Sequence, residues 1–170
     1  RCESMRDIGA AMAPHNAFLL LQGLETLNLR MQQHVSNAQA MVTWLQQQDA
    51  VAWVNHPDIN ANAHTKLLFP KGAGSMLTFG VKGGRNAGAA FIDALQLSSN
   101  LANVGDSRTL VLHPGSTTHS RLSETDLVAA GIGADLIRVS VGIENLKDIQ
   151  ADFSLGLRAA AKVVAHQAEA

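Results

Sequence analysis

The sequence predicts an α+β domain, in which a small β-sheet carries helices mainly on one face and a long helix precedes it. Two observations support this prediction. From Val51 onward, strand-like and helix-like segments alternate without internal repeats, as in a sheet covered by helices. Before that point, apolar residues recur at steps of three and four, the spacing of one face of an α-helix. These apolar positions are Leu20, Leu24, Leu27, Met31, Val35, Ala38, Val42 and Leu45.

The long helix is predicted to run from Pro14, which suits a first helical position, to about Gln47. At about 1.5 Å per residue it would be roughly 50 Å long, more than a small domain needs for its own core. We therefore divide the chain into two parts. Residues 1–48 are a lead-in and a long helix, and residues 49–170 are the small α+β domain.

The first elements of the small domain are predicted in order from their apolar patterns. Strands are expected at Val51–Val54 and Ser75–Val81, separated by a polar and aperiodic surface segment. A helix is expected at Asn86–Leu95, after a pair of glycines. The segment Leu101–Leu112 is expected to form two strands, the first of which ends at Gly105.

The remaining elements have clear end signals. Ser123 is expected to cap a helix, and Gly131 lies just past the expected helix end. Leu136–Val141 alternates with a period of two, which predicts a strand with Arg138 on one face and Val139 on the other. Asn145 is expected to cap the last helix. Its buried face is predicted to comprise Ile149, Phe153, Leu157, Ala160 and Val164.

Composition argues against several classes of protein. The 13 Lys and Arg residues nearly balance the 14 Asp and Glu residues, with no basic stripe, so nucleic acid and anionic membrane surfaces are not expected partners. The single cysteine, Cys2, fits a cytoplasmic setting. No apolar run reaches the length of about 18 residues that suggests a membrane span. The histidines lack cysteine or carboxylate partners at metal-binding spacing, so no metal site is expected.

Two polar features suggest a binding site. Arg138 is a guanidinium in an otherwise apolar strand, and a planar carboxylate is its best geometric partner. The alternative is an arginine on the solvated face of a half-exposed strand. The hydroxyl run at residues 116–118 follows His113 and Pro114, and such a run suits the rim of a site better than a core.

The chain resembles the C-terminal part of the cystathionine gamma-synthase family, the pyridoxal-phosphate (PLP) enzymes of cysteine and methionine metabolism. The motifs that carry the resemblance are Ala13–Phe18, Leu21–Leu27, Asn103–Asp106, His113–His119 and Leu136–Glu144. They cover essentially the whole chain, in order and at compatible spacing. The resemblance implies the C-terminal small domain of a fold-type I PLP-dependent transferase. It also implies that the long helix within residues 1–48 is a linking helix between this domain and the cofactor-binding domain. We therefore expect a piece of a longer protein whose upstream PLP-binding domain is absent from this chain.

The resemblance also implies where the cofactor is held. In this family PLP forms a Schiff base with a lysine in a Ser-x-Thr-Lys segment that is followed closely by Gly-His. Of the five lysines only Lys66 invites comparison, but Ala63 replaces the serine and no Gly-His follows. We expect no catalytic and no cofactor-binding residue in this chain, and PLP to be bound specifically only by the intact protein.

The substrate side of the pocket is expected within the chain. The resemblance assigns Arg138 to the α-carboxylate of an amino-acid substrate, through a two-pronged ion pair. Asn103 takes a position near the same carboxylate that is Ser in many relatives, and Thr118 matches a hydroxyl at the pocket edge. Ala102 replaces a larger polar residue of relatives with other substrates, and we interpret His119 as structural.

The implied activity of the intact protein is γ-replacement on O-acetyl-L-homoserine, in which acetate leaves and sulfide adds to give homocysteine. Within the family, Gln22 and the Ser116–His119 run favour this reaction. A cystathionine-forming relative, a methionine gamma-lyase and a stand-alone, non-catalytic interaction domain remain alternatives. The resemblance further implies a homotetramer that acts in methionine biosynthesis in the cytoplasm.

Overall fold

The computed structural model describes residues 7–9, 11–59 and 61–169, so Cys2 lies outside the described residues. The helices are α1 (Pro14–Glu25), α2 (Leu27–Leu45), α3 (Ala63–Leu68), α4 (Gly84–Asp93), α5 (Glu124–Ala129) and α6 (Leu146–Glu169). The strands are β1 (Val51–Asn55), β2 (Met76–Val81), β3 (Ser99–Asn100), β4 (Leu110–Leu112) and β5 (Leu136–Ser140). A short 3₁₀ turn spans Pro114–Ser116.

The five strands form one sheet in the order β1-β2-β5-β4-β3. Neighbouring strands are antiparallel, except that β3 and β4 are parallel. Helix α6 packs against both α2 and α4, and these three helices cover one face of this sheet. The predicted α+β class, with helices mainly on one face, is therefore confirmed.

Aromatic residues link the helices to the sheet. Phe79 of β2, Phe91 of α4 and Phe153 of α6 are fully buried, and the ring centroids of Phe91 lie 5.4 Å from those of the other two. Gly156 lets α4 and α6 approach closely, because a β-carbon there would come within 2.6 Å of the Phe91 ring. The predicted buried face of α6 is confirmed at its first four positions, whereas Val164 is half-buried.

The long helix predicted from Pro14 to Gln47 is in fact two helices. Thr26 interrupts it with φ −103° and ψ 4°, far from the ψ of about −42° of a regular helix. At the break, the Arg30 guanidinium donates to the carbonyl oxygen of Gly23, and so occupies an acceptor near the end of α1. The apolar spacing continues across a one-residue interruption, so periodicity could not reveal it.

The prediction of a strand that ends at Gly105 is wrong. The structure has only Ser99–Asn100 as a short edge strand, followed by a loop. Leu101 and Val104 are 46% and 61% exposed, so their apolar side chains do not anchor a strand to the sheet. The Asn103 side chain accepts a hydrogen bond from the backbone N–H of Val104, a local contact typical of loops.

The predicted helix caps are confirmed. The Ser123 hydroxyl accepts a hydrogen bond from the Asp126 N–H at 3.2 Å, and Gly131 after α5 has a φ of 73°. The Asn145 side chain accepts from the Lys147 N–H at 2.9 Å. Such caps satisfy the otherwise unpaired N–H groups of a first helical turn, which is why they can be predicted from local sequence.

Asp152 on α6 fixes the chain after α4. Its Oδ1 accepts from the N–H groups of Gln96 and Leu97 at 2.7 and 3.0 Å, and its Oδ2 accepts from that of Ser98 at 2.9 Å. Burial tends to raise the pKa of Asp152, but these backbone hydrogen bonds outweigh burial and lower the pKa below its ordinary value.

Asp152→Asn is expected to lower the free energy of unfolding at neutral pH by about 1 to 3 kcal/mol, because an amide offers one acceptor oxygen instead of two. The folded-state pKa is lowered, so the carboxylate stabilises the fold above its unfolded pKa of about 3.9 and loses this effect as pH falls through the folded value. Urea unfolding should show the difference between the two proteins shrinking in acid. A difference that stays constant with pH would contradict this role.

Candidate functional site

Arg138 lies in the middle of β5, on the face of the sheet opposite the packed helices. Its register partners are Thr78 of β2 and Leu112 of β4. The residue is half-buried. Its Nη2 donates to the carbonyl oxygen of Asn103 at 3.3 Å and lies 4.0 Å from the Met76 sulfur.

Within the described ranges, no carboxylate oxygen lies within 4 Å of the Arg138 guanidinium. In the nearby loop, Asp106 instead contacts Arg108, with Oδ1 3.0 Å from the backbone nitrogen and 3.5 Å from Nε. These two hydrogen bonds, the backbone one foremost, lower the pKa of Asp106 below its ordinary value. Arg138 thus keeps N–H donors that no carboxylate of the described residues engages, and these donors are available to an anion or to water.

A cavity of about 440 Å³ opens beside Arg138. It is lined by Ala102, Asn103, Val104, Leu112, Pro114, Thr118, His119 and Arg138. The three predicted substrate-binding residues, Arg138, Asn103 and Thr118, therefore lie around one cavity. Its size is within the range of small-molecule sites, and most of its wall is apolar.

Asn103 contacts Arg138 in a way that its residue type does not reveal. The contact uses the backbone carbonyl oxygen, whereas the side-chain Oδ1 accepts from the Val104 N–H at 2.9 Å. A contact between the Asn103 side chain and a substrate carboxylate stays a prediction. The backbone carbonyl instead helps to hold the guanidinium beside the cavity.

Thr118 and His119 form the rim of the cavity. The Thr118 hydroxyl lies 2.8 Å from His119 Nδ1, and the His119 N–H donates to the Pro114 carbonyl at 2.9 Å. Thr118 is exposed and His119 is half-buried. The contacts of His119 are local, in keeping with its interpretation as a structural residue.

His113 is a supporting residue that the sequence did not single out as such. The residue is fully buried, with Nε2 2.9 Å from the Ala134 carbonyl and Nδ1 2.8 Å from the Ser116 hydroxyl. A neutral ring that donates from Nε2 and accepts at Nδ1 satisfies both contacts. Its ring occupies the space next to Gly88 of α4. His113 thereby fixes the turn that leads to Thr118. Its position directly before Pro114, where the strand ends, is the sequence feature that could have indicated this role.

The described residues do not fit a PLP site. All five lysines, Lys66, Lys71, Lys82, Lys147 and Lys162, are exposed, and none lines the cavity at Arg138. Lys66 lies on the short surface helix α3. The same part of the chain contains no group of three or more His, Cys, Asp or Glu side chains that could hold a metal ion. Nor does it contain a helix long and apolar enough to cross a membrane.

Residues 2–158 match the family described as Cys/Met metabolism PLP-dependent enzymes. The chain is 45% identical over 163 residues to homocysteine synthase of Schizosaccharomyces pombe, a match that covers 94% of this chain and 38% of that protein. It is 44% identical over 160 residues to O-acetyl-L-homoserine sulfhydrylase 1 of Thermus thermophilus, with 92% of this chain and 38% of that protein covered. The chain thus spans well under half the length of these curated relatives.

A solved structure has the same fold. It is a Campylobacter jejuni protein assigned as an O-acetylhomoserine (thiol)-lyase, with N'-pyridoxyl-lysine-5'-monophosphate. It superposes with a TM-score of 0.77 at 42% identity, and the match covers 91% of this chain and 37% of that one. The family match over most of the chain and the shared fold agree with the resemblance in its motifs. The chain belongs to the Cys/Met metabolism family of PLP-dependent enzymes.

Proposed function

We propose that this chain is the C-terminal part of a PLP-dependent enzyme that makes homocysteine from O-acetyl-L-homoserine and sulfide, and that it binds the substrate α-carboxylate. The observation that carries the proposal is Arg138, a half-buried guanidinium without an acidic partner among the described residues, beside a cavity that Asn103 and Thr118 also line. The names of the relatives, homocysteine synthase and O-acetyl-L-homoserine sulfhydrylase, support this choice of reaction.

The cavity suits an amino acid that has a carboxylate at one end. The planar guanidinium of Arg138 can donate two parallel hydrogen bonds to a carboxylate. Val104, Leu112 and Pro114 line the same cavity with apolar atoms, and an apolar lining strengthens an ion pair formed inside it. Ala102 contributes only a methyl group and leaves room for the substrate. The PLP chemistry belongs to the part of the enzyme outside this chain.

An exposed apolar surface supports the proposal that the chain packs against further protein. It consists of Phe18, Leu19, Leu20, Leu21, Leu24, Leu27, Leu29 and Met31 on α1 and the start of α2, each more than a third exposed. Exposed large apolar side chains in such number commonly mark an interface. We propose that the remainder of the same enzyme, or a second copy of it, packs against this surface. The intact enzyme is then a cytoplasmic homotetramer that acts in methionine biosynthesis.

The proposed reaction is tested by assaying the full-length enzyme with O-acetyl-L-homoserine and sulfide, with homocysteine and acetate as the measured products. Equal amounts of both are expected, and omission of sulfide should abolish homocysteine. Formation of cystathionine when cysteine replaces sulfide, at a higher kcat/KM, would favour the cystathionine-forming alternative. Release of a keto acid and ammonia without sulfide would favour a lyase. No turnover of any homoserine ester would favour a non-catalytic domain.

A further inference from the structure

The loop that holds Arg138 is not fixed by its own burial. Residues 101–105 between β3 and β4 are all exposed. Yet the carbonyl of Asn103 in this loop accepts the hydrogen bond from Arg138 Nη2. The direction of the guanidinium therefore depends on contacts that fix the loop from elsewhere in the fold.

Thr109, at the end of this loop, receives those contacts. Glu144 Oε1 accepts from the Thr109 N–H at 2.6 Å, and Oε2 accepts from the Thr109 hydroxyl at 2.8 Å. The same hydroxyl oxygen accepts from the Gly142 N–H at 2.9 Å. A backbone hydrogen bond of 2.8 Å from Ile143 to the Ser107 carbonyl adds a second tie. The segment after β5 thereby fixes the C-terminal end of the loop whose Asn103 carbonyl contacts Arg138.

The backbone that carries Glu144 is itself held in place. The Asn37 side chain, on α2, donates to the backbone carbonyls of Gly142 and Glu144 at 3.0 and 2.9 Å. Gly142 leaves the space that this arrangement needs, because a β-carbon there would collide with the Glu144 carboxylate and with the backbone of Ser107 and Arg108. A fixed carboxylate with both oxygens engaged is a strong, directional anchor.

We infer that Glu144 is a positioning residue for substrate binding, which acts through Thr109 and the Asn103 carbonyl on Arg138. This inference rests on the proposed function, in which Arg138 binds the α-carboxylate. Glu144 does not line the cavity, so its effect on the substrate passes through the loop. Its loss should change how well the carboxylate is bound, beyond any change in stability.

The test is a double-mutant cycle on the full-length holoenzyme. Glu144→Gln keeps the side-chain volume but leaves one acceptor oxygen, and is expected to raise the KM for O-acetyl-L-homoserine by about 3- to 10-fold with kcat changed by less than about twofold. When Glu144→Gln is combined with Arg138→Lys, the fold-change in KM of the double variant should be smaller than the product of the two single-variant fold-changes, because both substitutions act through the same guanidinium. Asp152→Asn is the matched control, a structural carboxylate on the helical side that should lower the melting temperature and leave KM unchanged.

An unchanged KM in Glu144→Gln would overturn the inference. So would a double variant whose fold-change in KM equals the product of the two single-variant fold-changes. If Glu144→Gln yields no holoenzyme, Thr109→Val takes its place in the cycle under the same criteria, since it removes the two hydrogen bonds of the hydroxyl and keeps the bond from the Thr109 N–H to Glu144. A normal KM in Arg138→Lys alone would overturn the proposed carboxylate site, and the inference with it. A raised KM in Arg138→Lys with a normal KM in Glu144→Gln would overturn the inference only.

Discussion

Arg138→Lys in the full-length enzyme is expected to raise the KM for O-acetyl-L-homoserine by about 30-fold, or about 2 kcal/mol, the lower end of the roughly 2 to 5 kcal/mol that complete loss of a charged partner costs. Lysine keeps the positive charge but loses the planar fork that matches a carboxylate. Steady-state kinetics at saturating sulfide measure this effect.

The control for Arg138→Lys is Arg158→Lys. Arg158 is exposed on α6, on the helical side of the sheet, and does not line the cavity at Arg138. This substitution should leave KM and kcat close to wild type. Normal kinetics in Arg138→Lys itself, with an intact fold by circular dichroism, would mean that Arg138 is an ordinary surface arginine.

The 170-residue chain by itself is expected to form no defined adduct with PLP. Its five lysines are all exposed and none lies at the cavity, so their amines should react with the aldehyde to similar, small extents. Mixing the purified chain with PLP, reducing with borohydride and mapping the products should show scattered, substoichiometric labelling and no sulfhydrylase activity.

A different labelling result would contradict the expectation that this chain has no defined PLP site. Stoichiometric modification of one lysine, together with the absorbance band of a protonated aldimine, would mean that the chain contains a PLP site of its own. Lys66 would then be the first residue to test, because its sequence context invites comparison with the family segment. Lys66→Arg should abolish that band, whereas Lys162→Arg on α6 should leave it unchanged.

Those parts of the fold that depend on local sequence could be predicted. The alternation in β5, the Ser123 and Asn145 caps and most of the buried face of α6 each arise from spacing or from hydrogen bonds within a few residues. The interruption at Thr26 could not, since it changes the backbone of one residue without disturbing the apolar spacing. The strand prediction at Leu101 is wrong because an apolar side chain does not reveal whether a neighbouring strand is available for pairing.

The candidate site also combines features that the sequence could predict with features that depend on the tertiary fold. Motifs predicted Arg138, Asn103 and Thr118, and the sheet brings them together because β4 lies beside β5, with Leu112 opposite Arg138. The backbone carbonyl of Asn103 and the tie between Glu144 and Thr109 could not be inferred from residue types. Glu144 and Thr109 lie 35 positions apart in the sequence, and the pairing of β4 with β5 brings them together.

The proposal that Arg138 binds the substrate carboxylate is tested most directly by changing the carboxylate itself. The measurement compares kcat/KM for O-acetyl-L-homoserine and for its α-carboxamide, in the wild-type full-length enzyme and in Arg138→Lys. A two-pronged ion pair predicts that the wild-type enzyme prefers the carboxylate strongly and that this preference falls by about tenfold or more in the variant. An equal preference in both enzymes would contradict carboxylate binding by Arg138.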